Sequence, residues 1–137
     1  MMTKQRNFCA AVQRLAEAVA EYRDNPSSTV RDGVIQRFEF TFELAWKSLK
    51  EYMEDQGALG LQFPKQVLKE AYAAGLLDDD RVWLDMLSSR NVTSHIYDDA
   101  QAAAVMSDIQ QHYLQTLLAL ASFYAPEEGA APTPRRG

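Results

Sequence analysis

Apolar residues recur every three or four positions along almost the whole chain, and proline or glycine interrupts the pattern at Asn25-Pro26, between Gly57 and Pro64, and at Gly75. That period marks amphipathic helices, and no credible strand interrupts it. Phe8, Val12, Leu15, Val19 and Tyr22 predict a first helix over 3–24, ended by Asn25-Pro26. Ser27, Ser28 and Thr29 offer oxygens to cap a second helix over 30–56, with Gly57 suited to its end. Val34, Phe38, Phe42, Ala45, Leu49 and Met53 line that helix, flanked by Ile35, Trp46 and Tyr52. So wide an aromatic stripe predicts burial on more than one side.

Pro64 suits the first position of a shorter helix over 64–74, with Val67, Leu68, Ala71 and Tyr72 inward and Gly75 at its end. Asp78, Asp79 and Asp80 place negative charge where a fourth helix begins, a position the helix dipole favours. Trp83, Leu84 and Leu87 give it an apolar face as far as about residue 92. A last long helix should begin at Asp98 or Asp99 and reach 124 through Val105, Ile109, Tyr113, Leu117 and Leu120. Long helices with short connections predict an all-α, up-and-down bundle of four main helices plus one shorter helix, as one domain over 1–124. The proline-, glycine- and glutamate-containing stretch 125–137 is expected to be a disordered tail.

Composition narrows the function. Hydrophobic residues make up 47% and charged residues 24% of the 137, enough to build a core without metal or disulfide support. A lone Cys9 excludes a disulfide scaffold and a multi-cysteine zinc site, and fits a reducing cytoplasm. The apolar stretches are too short and too charged to span a bilayer, and no apolar run follows Lys4 and Arg6 as a signal peptide would need. The net charge of −5 disfavours nonspecific binding to polyanions such as DNA.

One stretch carries chemistry: Arg90-Asn91-Val92-Thr93-Ser94-His95-Ile96-Tyr97-Asp98. A helix advances about 100° per residue, so Arg90 and His95 would stand about 140° apart on a regular helix and converge only where it ends or distorts. Asn91 and His95, four apart, would share a face. Two copies across a two-fold axis could combine their side chains. A histidine can take a proton from a ribose 2′-OH or return one to a leaving oxygen, and an arginine can stabilise charge building on a phosphate. The alternative is structural: His95 as a cap or core hydrogen bond, and Arg90 as a neutraliser of nearby aspartates. No ligand cluster in the sequence implies a metal or a cofactor.

These residues resemble the R-x4-H-x-Y motif of the HEPN superfamily, of which an asparagine directly after the arginine, here Asn91, is also typical. Two further stretches are similar to signatures of the nucleotidyltransferase substrate-binding protein family: Arg37-Phe-Glu-Phe-Thr-Phe-Glu-Leu-Ala-Trp-Lys47 in the second helix, and Trp83-Leu-Asp-Met-Leu87 in the fourth. The resemblance covers roughly 7–124. It implies a helical-bundle homodimer partnered by a separate minimal nucleotidyltransferase, as in the HEPN/minimal nucleotidyltransferase toxin–antitoxin type. There the HEPN protein is a metal-independent RNase toxin, and the transferase is an antitoxin that moves AMP onto the motif tyrosine. By resemblance, Arg90 and His95 are the RNase pair, Asn91 and Ser94 supporting residues, and Tyr97 the AMP acceptor. The family's older label implies instead a non-catalytic subunit that presents a substrate to the transferase. A third reading is an inert dimerisation bundle.

Between Asp78 and Asp99 six aspartates face Arg81 and Arg90, a net −4 with His95 neutral. That field repels RNA phosphates, would raise the pKa of His95 if the acids are close, and suits a basic protein partner. Phe38, Phe42 and Trp46 are expected in the core or at a dimer interface. Glu39 and Glu43, one turn apart, are expected to pair with Arg37 or Lys47 rather than to hold a metal. His112 is expected at the surface or an interface, and Cys9 as a small apolar filler.

Overall fold

In a computed structural model, residues 1–93 and 98–126 are described. All regular structure among them is helical: α1 (Thr3–Asp24), α2 (Ser28–Asp55), α3 (Pro64–Ala73), α4 (Asp80–Thr93), α5 (Asp99–Asp108), a π-helical turn (Ile109–Tyr113) and α6 (Leu114–Tyr124). The last three form one long helix, as the spacing predicts. The expected tail falls largely on residues 127–137, which lie outside the described residues.

Local chemistry sets the boundaries. Ser27 caps α2 by accepting the Val30 amide at 3.1 Å. At the other end Gly57 has φ +105°, its amide meets the Glu54 carbonyl at 3.0 Å, and the Ala58 amide meets the Met53 carbonyl at 2.9 Å. Gly75, with φ +81°, closes α3 in the same way through Tyr72 and Ala71. This paired closure satisfies the last carbonyls and needs a left-handed residue, which glycine adopts without a steric penalty. Asp98 and Gln101 cap α5 reciprocally, at 2.9 and 3.1 Å.

Contacts between helices fix their directions. Thr41 and Arg37 of α2 reach the Ala11 and Arg14 carbonyls of α1, so the two run antiparallel. Phe8 and Cys9 of α1 meet Tyr124 and Ala121, so α1 is also antiparallel to α6. Phe38 stacks on Tyr113 while Ser48 bonds Tyr124, so α2 runs parallel to the last helix. Glu39 meets Thr93 and Glu43 meets Arg90, so α4 opposes α2. The result is an up-and-down four-helix bundle with α3 on the crossover between α2 and α4.

The core follows the spacing closely. Phe8, Val12, Leu15, Val34, Phe38, Phe42, Ala45, Leu49, Val67, Leu68, Ala71, Ile109 and Leu117 are wholly buried. Two expectations change. Tyr72 is exposed, because Val67, Leu68 and Ala71 already fill the short inner face of α3. On α4 the buried apolar residues are Trp83 and Met86, with Leu84 and Leu87 only partly covered. The π turn explains the last helix: steps of four from Val105 through Ile109 and Tyr113 to Leu117 each overshoot a regular turn by about 40°. One wider turn takes up that drift and keeps all four residues inward.

The aromatic stripe of α2 is buried by the chain's own helices: Phe38 and Phe42 completely and Trp46 nearly so, while Phe40 stays 62% exposed. Phe42→Ala should therefore lower the unfolding free energy by about 3–5 kcal/mol, and Phe40→Ala by less than about 0.5 kcal/mol. Urea titrations followed by circular dichroism would check the contrast.

Candidate functional site

The inward stripe of α4 continues past its apolar residues. Trp83, Met86, Arg90 and Thr93 step by three and four, so Arg90 and Thr93 share the face that Trp83 and Met86 bury against α2. The last turn of α4 thus delivers two polar side chains to the wall of α2, and α2 meets them with its own polar pair.

Glu43 Oε2 lies 2.6 Å from Arg90 Nη2. Glu43 Oε1 accepts the Trp46 indole N–H at 3.1 Å, so both oxygens of this carboxylate are engaged. The Arg90 guanidinium carbon sits 5.9 Å from the centre of the Phe42 ring, within reach of a cation–π attraction. Arg90 Nη1 donates to Asn91 Oδ1 at 3.1 Å, and Nε is buried without a hydrogen-bond partner among the described residues. One turn on, the Thr93 hydroxyl donates to Glu39 Oε2 in a short hydrogen bond. On the other side of α4, Ser89 Oγ meets Tyr113 Oη at 2.8 Å, and the Tyr113 ring stacks on Phe38 at 5.3 Å. Three consecutive polar contacts therefore fasten the end of α4, two from α2 and one from the π turn.

This corrects the expected pairing of the α2 carboxylates. Glu39 and Glu43 do not face Arg37 or Lys47: Arg37 donates to the Arg14 carbonyl at 2.7 Å, and Lys47 lies over the Trp46 ring at 5.9 Å. Arg90, expected in one reading to neutralise aspartates, pairs with a glutamate. The reason is solvation. A lateral pair on an exposed helix is worth a few tenths of a kcal/mol. Arg90, by contrast, keeps only 24% of its side chain exposed, and leaving its charge partly desolvated with no counterion is far more costly.

The structure brings Arg90 and Asn91 together at the end of α4. Ser94, His95 and Tyr97 lie outside the described residues. His112 is exposed, as expected, on the rim of an open cavity of about 380 Å³ with Asp85, Ser88 and Asp108. Cys9 is partly buried against α6. No group of three or more His, Cys, Asp or Glu side chains among the described residues could hold a metal ion, and no helix among them is long and apolar enough to cross a membrane. Sequence reasoning missed Glu43, Glu39 and Trp46 as partners of the motif. Continuing the Trp83–Met86 step to Arg90 and Thr93 is the signal that pointed there.

The fold is a helical bundle that fixes an arginine at the end of its fourth helix, and comparison with known proteins gives its family. Residues 3–124 match the family described as nucleotidyltransferase substrate binding protein like, and the chain belongs to that family. It is 33% identical to a Haemophilus influenzae protein named probable ribonuclease HepT, over 85% of this chain and 90% of that one. Among solved structures it superposes on a Thermus thermophilus protein at a TM-score of 0.76 and 32% identity, covering 85% of this chain and 97% of the other. It also superposes on a Haemophilus influenzae protein described as revealing the fold of a substrate-binding domain of a nucleotidyltransferase, with a TM-score of 0.72, 30% identity, and coverage of 87% and 97%.

Two phenols near the bundle's polar contacts, Tyr113 buried and Tyr124 partly buried, titrate late. Burial pushes the Tyr113 hydroxyl above its ordinary value, offset in part by Ser89, and pushes Tyr124 up further, offset in part by Ser48. A phenol whose native pKa is raised contributes stability that is fully present below the unfolded value of about 10 and is lost as pH climbs through the native one. Thermal stability should thus fall above about pH 10, and Tyr124→Phe, which cannot ionise, should flatten that fall. Melts from pH 8 to 11.5 would measure it.

Proposed function

We propose that this protein is the HEPN-type partner of a minimal nucleotidyltransferase and a metal-independent endoribonuclease toxin, neutralised by AMP transfer to Tyr97. The observation that carries this reading is Arg90: a guanidinium fixed by Glu43 and Phe42, with 24% of its side chain exposed, one turn before the segment that holds Ser94, His95 and Tyr97. The name of the Haemophilus influenzae relative, probable ribonuclease HepT, supports the same chemistry.

In this reaction Arg90 binds the scissile phosphate and stabilises the charge that develops on it. His95 takes the ribose 2′-OH proton. The 2′-oxygen bonds to phosphorus, the bond to the 5′-oxygen breaks, and the leaving oxygen is protonated, leaving a 2′,3′-cyclic phosphate. Asn91 and Ser94 support the pair. Neutralisation attaches AMP to the phenol: the Tyr97 oxygen attacks the α-phosphorus of ATP, pyrophosphate leaves, and the phenol loses its proton. The product places a bulky anion two residues from His95.

A homodimer belongs to the proposal, because two copies bring two motifs together. Phe40 and Val92, exposed neighbours of Glu39 and Thr93, supply apolar surface beside the site. A second reading, a non-catalytic subunit that presents substrate to the transferase, is favoured by the family description and by the description of the Haemophilus influenzae structure.

Arg90→Ala and His95→Ala should each abolish RNA cleavage, with His95 contributing of the order of 10²–10⁴-fold. Arg90→Lys should rescue poorly, because lysine lacks the planar fork. Cleavage should persist in EDTA. Tyr97→Phe should still cut RNA but escape the mass gain of about 329 Da expected from AMP attachment. AMP-free wild-type protein that leaves varied RNAs uncut would favour the binding-subunit reading. Light scattering should return twice the 15.5 kDa chain mass, and a monomer at micromolar concentration would refute the dimer.

A further inference from the structure

The carboxylate that meets Arg90 is itself held. Trp46, one turn along α2, donates its indole N–H to Glu43 Oε1, and this leaves Oε2 for Arg90 Nη2 at 2.6 Å. Trp46 is 92% covered by the bundle, so the chain of contacts from Trp46 to Glu43 to Arg90 begins in the packed core and ends at a partly exposed guanidinium. Phe42 lies against the guanidinium and Asn91 takes one Nη1 hydrogen, so the fork is held from three directions. Thr93 and Glu39 repeat the contact one turn further on and hold the helix that carries the arginine.

From these contacts we infer that Glu43 is a positioning residue: aimed by Trp46, it sets the orientation in which Arg90 meets the scissile phosphate. The inference rests on the nuclease reading above. A free arginine side chain spreads over many rotamers, and holding it beforehand removes that spread from the reaction step. The arrangement is otherwise unfavourable for an RNA site. A carboxylate beside the arginine cancels its charge and repels the phosphate, so Glu43 weakens attraction for the substrate while fixing geometry. Glutamate is also the residue type this geometry needs, because both oxygens must accept. Glutamine has an acceptor oxygen at one of these two positions and an amide donor at the other, so it cannot keep both contacts in this geometry. Aspartate has two acceptors but is one methylene short.

The split between turnover and binding tests this. Glu43→Gln should lower kcat for a short RNA by about 10²-fold, the scale of a misplaced catalytic group, while KM stays level or falls because a negative charge has gone. Trp46→Phe keeps the ring and removes the N–H, and should lower kcat in the same direction by a smaller factor, with melting temperature followed in parallel. Phenylglyoxal labelling with peptide mass mapping supplies a readout free of RNA: Arg90 should react faster in Glu43→Gln than in wild type. Wild-type protein that cleaves RNA, with kcat unchanged in a folded Glu43→Gln variant, overturns this inference alone. A Glu43→Gln variant that melts early yet keeps wild-type kcat in its folded fraction assigns Glu43 a purely structural role and also overturns it. Wild-type protein that cuts no RNA overturns the nuclease reading and the positioning role with it, whatever the labelling shows.

Discussion

The inward face of α2 is the constraint on which the rest of the molecule depends. Its apolar line of Val34, Phe38, Phe42, Ala45 and Leu49 is completely covered, and α1, α3, α4 and α5 all pack against α2. Burial of such side chains is worth about 1.5–3 kcal/mol each relative to exposure, so this one line fixes where α1, α3, α4 and the last helix must lie. The polar residues beside the line then find their partners as a consequence. Glu39 and Glu43 flank Phe38 and Phe42, and the helix that buries Trp83 and Met86 there brings Thr93 and Arg90 to them.

The proposed function and the stability of the fold meet at that seam. A half-covered ion pair adds little net stability, since desolvation offsets most of the attraction, yet breaking it leaves an unpaired charge in a partly dry place. Arg90 therefore cannot be read as a free surface cation. It is a cation under restraint, next to the segment that carries the histidine and tyrosine of the motif. Asp98 and Asp99, at the start of α5, add negative charge at this end of the bundle, whereas Asp78, Asp79 and Asp80 lie at the far end of α4. Any RNA that binds here must be held by geometry and local hydrogen bonds more than by a broad positive field, whereas a basic protein surface would meet a complementary one.

Most of the fold was legible along the chain because helix boundaries depend on neighbours. Asn25-Pro26, Ser27, Gly57, Pro64 and Gly75 act through bonds to residues a few positions away, and the structure places each at the boundary its chemistry suggests. The apolar steps through Phe8 to Val19 and Val105 to Leu120 were equally plain. What lay beyond reach depends on contacts between distant segments. Met86 is buried because α4 rolls its Trp83 side toward α2, and Tyr72 is exposed because a ten-residue helix has little face to bury. The partners of Glu39 and Glu43 were misread for the same reason: spacing along one helix suggests Arg37 and Lys47, but a neighbouring helix supplied a cation in a drier place. The motif arginine and asparagine were found from residue types, whereas Glu43 and Trp46 carry no signal until α2 and α4 are laid side by side.

The central claim is that Arg90, held against α2, is the group that meets RNA. The side-chain Nε–H correlation spectrum of ¹⁵N-labelled protein tests it most directly, with the Arg90 signal assigned through Arg90→Lys. A short RNA with 2′-O-methyl riboses cannot be cleaved and can be titrated to saturation. The account predicts that the Arg90 signal and the backbone amides at the end of α4 shift together as this RNA binds, while signals of Arg23 and Arg81 stay in place. RNA binding that moves other arginines and leaves Arg90 unchanged would contradict it.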